Sequence, residues 1–195
     1  QPGAVIIAEE SAESTDTIEN ASEPFWLVDP LDGTKEFIAG RDEFTVNIAL
    51  IVQRKPQLGV IYIPAQDRIY WGENGVGAFR ASGENNPIQI STRPIPPTGP
   101  TAVGSRSHSN AATEEWLSQQ KITDFQAAGS SLKFCKVAEG SADIYPRFGR
   151  TMEWDIAAGH AILEAAGGRV KTMTGGSLRY GKPGFENPDF LAEGG

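Results

Sequence analysis

The chain of 195 residues has one cysteine, Cys135, so no internal disulfide can close and no cysteine-based zinc site can be assembled. That usage fits a reducing compartment. It has no apolar run approaching the ~20 residues that cross a bilayer, and its start lacks the basic residues and apolar stretch of a secretory signal. The expectation is a cytoplasmic protein without an integral membrane segment, peripheral attachment to an inner membrane being left open. It also lacks any Lys/Arg run, and 17 basic against 25 acidic side chains give a net charge of -8. Long nucleic acids are thereby excluded as partners, whereas a small phosphorylated ligand is admissible if divalent cations invert the local field. Internal repeats and low-complexity tracts are absent too. No initiator Met precedes Gln1-Pro2-Gly3, and the apolar run Ala4 to Ala8 follows at once, so the sequence reads as one missing its N-terminal segment.

What is present is a globular composition, 39% hydrophobic and 22% charged, cut into short elements by 22 glycines and 13 prolines. Val5 to Ala8 and Phe25 to Val28 read as brief buried strands separated by the acidic stretch Glu9 to Glu23. Phe44, Val46, Ile48, Leu50 and Val52 alternate with Thr45, Asn47, Ala49 and Ile51. Pro56 interrupts before Leu58 to Ile63 resumes the alternation, and Arg68 to Gly72, Gly77 to Arg80 and Ile88 to Ile90 continue it as a meander. Trp71 and Phe79 are assigned to the core of that meander. Thr92 to Pro100, with four prolines, reads as a stiff extended connection. Beyond it strands alternate with helices: a strand at Thr101 to Gly104, a helix opened by Ser109-Asn110, another capped by Ser130 or Ser131, a strand at Ala142 to Tyr145, and a helix from Trp154 to Ala166 stopped by Gly167-Gly168. Layered α/β architecture follows.

The informative stretch is Asp29-Pro30-Leu31-Asp32-Gly33-Thr34, in which a strand delivers two aspartates around a proline turn. Such a turn can aim both carboxylates and the Leu31 carbonyl at one point, and hard oxygen ligands suit Mg²⁺. The amides of Gly33 and Thr34, opening a helix, face the same space and favour an anion. A plain Asp-Pro turn with an aspartate cap would use the same residues, so carboxylates elsewhere decide between the two. If the first strand neighbours Phe25 to Val28, Glu9 and Asp29 emerge at adjacent ends, and Asp155 at the start of the Trp154 helix is a fourth candidate. Two Mg²⁺ ions would neutralise these four carboxylates. Held about 3.5–4 Å apart, such ions make hydroxide cheaply and stabilise entering and leaving oxygens in attack on phosphorus.

In order, Glu9-Glu10-Ser11, Asp29 to Thr34 and Trp154-Asp155-Ile156-Ala157-Ala158-Gly159 resemble the three metal motifs of the inositol monophosphatase superfamily, and the likeness spans nearly the whole chain. Within it, Asp29 to Phe37, Ser105-Arg106-Ser107-His108 and Gly129 to Cys135 resemble the 3'(2'),5'-bisphosphate nucleotidases. The resemblance implies a layered αβαβα sugar-phosphatase fold with its N-terminal helices missing here. It implies a subdomain at 1–93 carrying an antiparallel sheet and the main metal site, and an α/β subdomain at 94–195 with substrate contacts and the last ligand. Its activity would be Mg²⁺-dependent, lithium-sensitive hydrolysis of the 3'-phosphate of 3'-phosphoadenosine 5'-phosphate to AMP, recycling a by-product of sulfate assimilation.

Residue by residue, the resemblance gives two or three Mg²⁺ ions to Glu9, Asp29, the Leu31 carbonyl, Asp32 and Asp155, with Asp29 bridging. Gly33 and Thr34 would hold the scissile phosphate near Asp155. The Thr34 hydroxyl would orient the attacking water, in the family together with an acidic residue of an N-terminal helix that has no counterpart here. Ser107, His108 and Ser130 would donate to the other phosphate or the ribose, and Lys133 and Arg147 would face that phosphate as point charges. The bland alternatives are a cap for Ser130, a solvated helix position for Lys133 and a surface charge for Arg147. His160, about 140° around its helix from Asp155, reads as structural, and Cys135 as a small buried hydrophobe. An inositol or sugar monophosphatase, or a truncated non-catalytic module binding Mg²⁺ and nucleotide, stay open, as does the oligomeric state.

Overall fold

The computed structural model describes residues 4–12, 18, 20–105 and 111–195. Strand β1 (Val5–Ala8) runs parallel to β2 (Phe25–Asp32), with Val5 opposite Phe25 and Ala8 opposite Val28. Glu9, in a single 3-10 turn (Glu9–Ser11), therefore emerges beside Asp29. β2 continues past Val28, because the proline turn is absorbed as a register shift against the next strand between Asp29 and Asp32. A bulge of this kind re-aims side chains and tolerates Pro30, which has no N–H to give the ladder.

From β2 the chain meanders through β3 (Thr45–Val52), β4 (Lys55–Ile63), β5 (Arg68–Glu73), β6 (Gly77–Ser82) and β7 (Ile88–Ile90), giving a seven-stranded sheet in sequence order. Pro56 does not interrupt β4. It sits one residue inside it, where the register with β3 shifts between Leu50 and Ile51. A five-stranded sheet follows, built from β8 (Thr101–Gly104), β9 (Asp124–Ala127), β10 (Ile144–Arg147), β11 (Arg169–Thr172) and β12 (Phe190–Glu193), in the order β11-β12-β10-β8-β9. The last two strands are four residues each amid glycine and proline turns, too short for their periodicity to register in the sequence. Among the described residues four helices complete the fold: α1 (Thr34–Ile38), α2 (Ala111–Gln119), α3 (Leu132–Ala138) and α4 (Glu153–Ala165). Ser109 and Asn110, expected to open α2, lie outside the described residues.

Helix α4 lies on β3, β4 and β5, with α3 beside it, and the second sheet packs on α3. Trp116 and Leu117 of α2 cover the far side of that sheet against Ala102, Ile144 and Leu191. The layers run sheet, helices, sheet, helix, four of the five layers expected. The stripe of small residues on α4 is explained by the closeness of these layers. A Cβ on Gly59 would stand 2.3 Å from the Ala158 carbonyl oxygen, and one on Gly159 2.4 Å from the Phe134 ring.

Burial along β3 shows which of its two alternating sets faces inward. The buried set of β3 is Thr45, Asn47, Ala49 and Ile51, while Ile48 is 37% exposed and Val46 and Leu50 are half-buried. The inner face of β3 is thus mostly small, Ile51 excepted, and the bulkier apolar residues Val46, Ile48 and Leu50 occupy the outer face. Trp71 and Phe79 belong to that outer face as well, half-buried and stacked at 5.6 Å, and not to the core. Residues 92–100 form no regular element. They are pinned by Arg93, whose Nε and Nη2 donate to the two oxygens of Asp143 at 2.8 and 3.0 Å. Among the described residues no helix is long and apolar enough to cross a membrane.

Candidate active site

Glu9 at the end of β1, Asp29 at the bulge of β2 and Asp155 in the first turn of α4 each offer one carboxylate oxygen, and these atoms lie within 4.8 Å of one another. The two aspartates are held in place by their own elements. The Leu31 N–H donates to Asp29 Oδ1 at 2.9 Å, and the Met152 N–H to Asp155 Oδ2 at 2.7 Å, so Asp155 caps the helix that carries it. Crowding three carboxyls, of which Asp29 is buried and Asp155 half-buried, disfavours their ionisation. Burial, then the charges of Asp32 and Glu9, push Asp29 up to about 9. Burial, then Asp32, push Asp155 up to about 7, and burial raises Glu9 as well. An all-oxygen set whose members repel one another fits a hard divalent cation, which would relieve that repulsion.

Asp32 stands next to this group and outside its 4.8 Å circle. Its Oδ2 accepts from Ser131 Oγ at 2.9 Å and from Thr45 Oγ1 and Asn47 Nδ2 at 3.3 Å each. The Leu31 carbonyl accepts a long contact from Thr34 Oγ1, 3.4 Å. Gly33 has φ +90°, and a Cβ there would fall 2.0 Å from Ser130 Oγ, so only glycine fits this turn. Ser130 Oγ itself donates to the Asp32 carbonyl at 3.0 Å. Its hydroxyl proton supports the turn, and neither Ser130 nor Ser131 caps α3 through its side chain.

A cleft of about 240 Å³ opens beside the carboxylates, lined by Asp32, Gly33, Thr34, Ser130, Lys133, Arg147 and Asp155. Sequence candidates from both sheets therefore meet at one place. Lys133 is 6% exposed, which overturns its reading as a solvated helix residue. Its Nζ donates to the Ser130 carbonyl at 2.5 Å and lies 5.6 Å from the centre of the Tyr145 ring. Burial brings it down to about 8, with Asp32 opposing that shift and Arg147 adding to it. Arg147 is half-buried, donates through Nη2 to the Arg150 carbonyl at 3.2 Å, and keeps a buried Nε without a partner among the described residues. Ser107 and His108 lie outside the described residues. His160 is structural as expected: Nδ1 pairs with the Tyr180 hydroxyl at 2.8 Å, and Nε2 lies 3.1 Å from Glu164 Oε1.

Sequence reasoning missed the residues that hold Asp32. Thr45 and Asn47 are polar at inward positions of an otherwise apolar strand, a signal hidden because the outward set was equally apolar. Ser131 reads from the sequence only as a cap. Glu36 and Glu43 were missed as well: Glu36 is 6% exposed under Gly33, and Glu43 Oε2 accepts from the Gly129 N–H at 2.9 Å.

The carboxyl cluster sets a pH dependence. Asp29, Asp155 and Glu9 hold protons in the folded chain at pH values where the unfolded chain has lost them. Their stabilising contribution is full in acid and is lost as pH rises. The melting temperature without metal is expected to fall between about pH 5 and about pH 7.5, a window ending before Lys133 titrates in the opposite sense. Saturating Mg²⁺ should raise it more at the upper pH, because binding displaces those protons. Thermal melts at both pH values check this, and equal gains would show that the cation does not engage the cluster.

Similarity to known proteins runs the length of this architecture. A chain of 45% identity over 201 residues is the 3'(2'),5'-bisphosphate nucleotidase CysQ of Buchnera aphidicola, the match covering 98% of this chain and 72% of that one. The protein of the same name from Escherichia coli K12 is 49% identical over 168 residues, covering 85% and 66% respectively. The chain thus spans roughly two thirds of the length of these curated relatives. In three dimensions, CysQ from Bacteroides thetaiotaomicron superposes with a TM-score of 0.84 at 36% identity, covering 98% of this chain and 77% of that one. An inositol monophosphatase from Anabaena gives 0.78 at 31%, covering 100% and 75%. With the family model for the inositol monophosphatase family matching residues 1–193, the chain belongs to the inositol monophosphatase family.

Proposed function

We propose that this chain hydrolyses the 3'-phosphate of 3'-phosphoadenosine 5'-phosphate, a small nucleotide bisphosphate, to AMP and phosphate, a substrate of the class that its relatives' name, 3'(2'),5'-bisphosphate nucleotidase, states. The observation that carries the reading is one cleft, opening beside the carboxylate group through Asp155 and Asp32, that is also lined by two cations, Lys133 and Arg147. A monophosphate needs only the first, whereas a bisphosphate needs both.

Glu9, Asp29, the Leu31 carbonyl, Asp32 and Asp155 would hold two or three Mg²⁺ ions, the ion the family uses. Bound there, the ions would supply a hydroxide at neutral pH and offset charge on the phosphorus oxygens. The chain's own residues do the positioning. Gly33 and Thr34 would present their amides to the scissile phosphate beside Asp155, and the Thr34 hydroxyl would leave its long contact to Leu31 to orient the water. The Nε of Arg147, without a partner among the described residues, and the ammonium of Lys133 would receive the second phosphate. Ser130 would act by supporting the Gly33 turn, and Ser107 and His108 would complete the ribose side. Residues 1–93 would thereby carry most of the metal ligands, and 94–195 the last ligand and the cations.

The test is phosphate release by this chain from 3'-phosphoadenosine 5'-phosphate and from inositol 1-phosphate, in Mg²⁺ with and without lithium. Selective, lithium-sensitive release of the 3'-phosphate is expected. Preference for the inositol ester would assign a monophosphatase instead. Silence on both, with Mg²⁺ still raising the melting temperature, would assign a non-catalytic module.

A further inference from the structure

Asn47 poses a problem that its surroundings solve. It is 1% exposed, and its Oδ1 is buried without a hydrogen-bond partner among the described residues. Leaving a buried acceptor unpaired is destabilising, and such exceptions call for a reason. Rotating the amide would give Oδ1 a donor in Ser131 Oγ, but would set it against the Asp32 carboxylate. The orientation observed spends both amide protons, one on Ser131 Oγ at 2.8 Å and one on Asp32 Oδ2 at 3.3 Å.

Ser131 occupies the other end of this arrangement. It is 2% exposed and stands at the cap position of α3 without capping it. Its Oγ accepts from Asn47 and lies 2.9 Å from both Asp32 Oδ2 and the Asp155 carbonyl oxygen. A hydroxyl has one proton, so it donates to one of the two at a time, and an ionised carboxylate is the stronger acceptor. One side chain of α3 thereby spans the Asp32 carboxylate on β2 and the backbone of Asp155 on α4.

We infer that Ser131 and Asn47 are positioning residues for metal binding: together they fix Asp32 Oδ2, present its other oxygen towards the Glu9–Asp29–Asp155 group, and set the spacing between Asp32 and Asp155. Neither touches an ion or substrate. The inference rests on the metal site of the proposed function, and it accounts for three features at once: the orphaned amide oxygen, the unused cap, and the polar position in β3. Partners in the outer shell of a metal site cost about 10–100-fold in affinity when removed.

The test uses the whole chain and reads the Mg²⁺ concentration at half-maximal thermal stabilisation, a measurement independent of turnover. Ser131→Ala is expected to raise that midpoint at least about 10-fold. In an Asp32→Asn background the same substitution should add nothing, because it acts through that carboxylate. Ser131→Cys, nearly equal in volume with a weaker donor, should fall between, and it carries the same comparison if the alanine variant does not fold. An unchanged midpoint in the single variants, or full additivity with Asp32→Asn, overturns the positioning role while the metal site stands. Absence of any Mg²⁺ effect on the unsubstituted chain overturns the metal site, and the inference with it.

Discussion

Asp29→Asn is expected to abolish phosphate release, by well over the ~100-fold that outer-shell changes cost at metal sites, while the chain still folds. The two halves of that result have separate causes. Asp29 is the most buried member of the carboxylate group and the one whose ionisation the protein opposes most, through burial first and then Asp32 and Glu9. Without a cation its charge is a liability, so replacing it by a neutral amide of the same shape should leave the metal-free melting temperature equal or higher near pH 8. The Leu31 N–H keeps its acceptor in the asparagine Oδ1. With Mg²⁺ the order reverses, because the unsubstituted chain gains stability from the ion and the variant does not. Melting with and without Mg²⁺, alongside phosphate release, separates the cases. Retained turnover would remove Asp29 from the metal site, and a lowered metal-free melting temperature would show a structural role for its charge.

The same contrast between ligand and scaffold explains what the sequence made legible. The metal residues sit where local rules leave a trace: Glu9 ends a strand, Asp29 and Asp32 flank a proline turn closed by Gly33, and Asp155 opens a helix. The five strands of the meander could be read because each alternates or is bounded by turn residues. The faces of β3 could not, since both sides are apolar enough, and what buries Thr45 and Asn47 is the approach of α4 over Gly59 and Gly72, some hundred residues away in sequence. The support of Asp32 is likewise a meeting of β2, β3 and α3, and periodicity within one element carries no record of such a meeting. Lys133 stood between these cases: its motif position was visible, but its burial under Tyr145 was decided by β10.

That burial makes Lys133 the residue that should tell a bisphosphate from a monophosphate. Lys133→Met keeps most of the buried stem and removes only the charge, so the packing against Tyr145 survives. A hydrogen bond to a charged partner contributes about 1.5–3 kcal/mol, which is roughly 10–100-fold in kcat/KM, and the loss should fall on KM because this contact holds the phosphate that does not react. Inositol 1-phosphate, with nothing to place there, should lose no more than about threefold. A second signature follows from the ammonium being brought down to about 8 by burial. As pH rises through that value the lysine of the free enzyme becomes neutral, so kcat/KM for the bisphosphate should decline on its alkaline side, and the methionine variant should lack that decline. Steady-state kinetics on both substrates across pH 6 to 9.5 would measure both effects together. Equal losses on the two esters, with the alkaline limb unchanged, would assign Lys133 to holding the Ser130 carbonyl and the Gly33 turn beneath it, and would leave the second phosphate to Arg147.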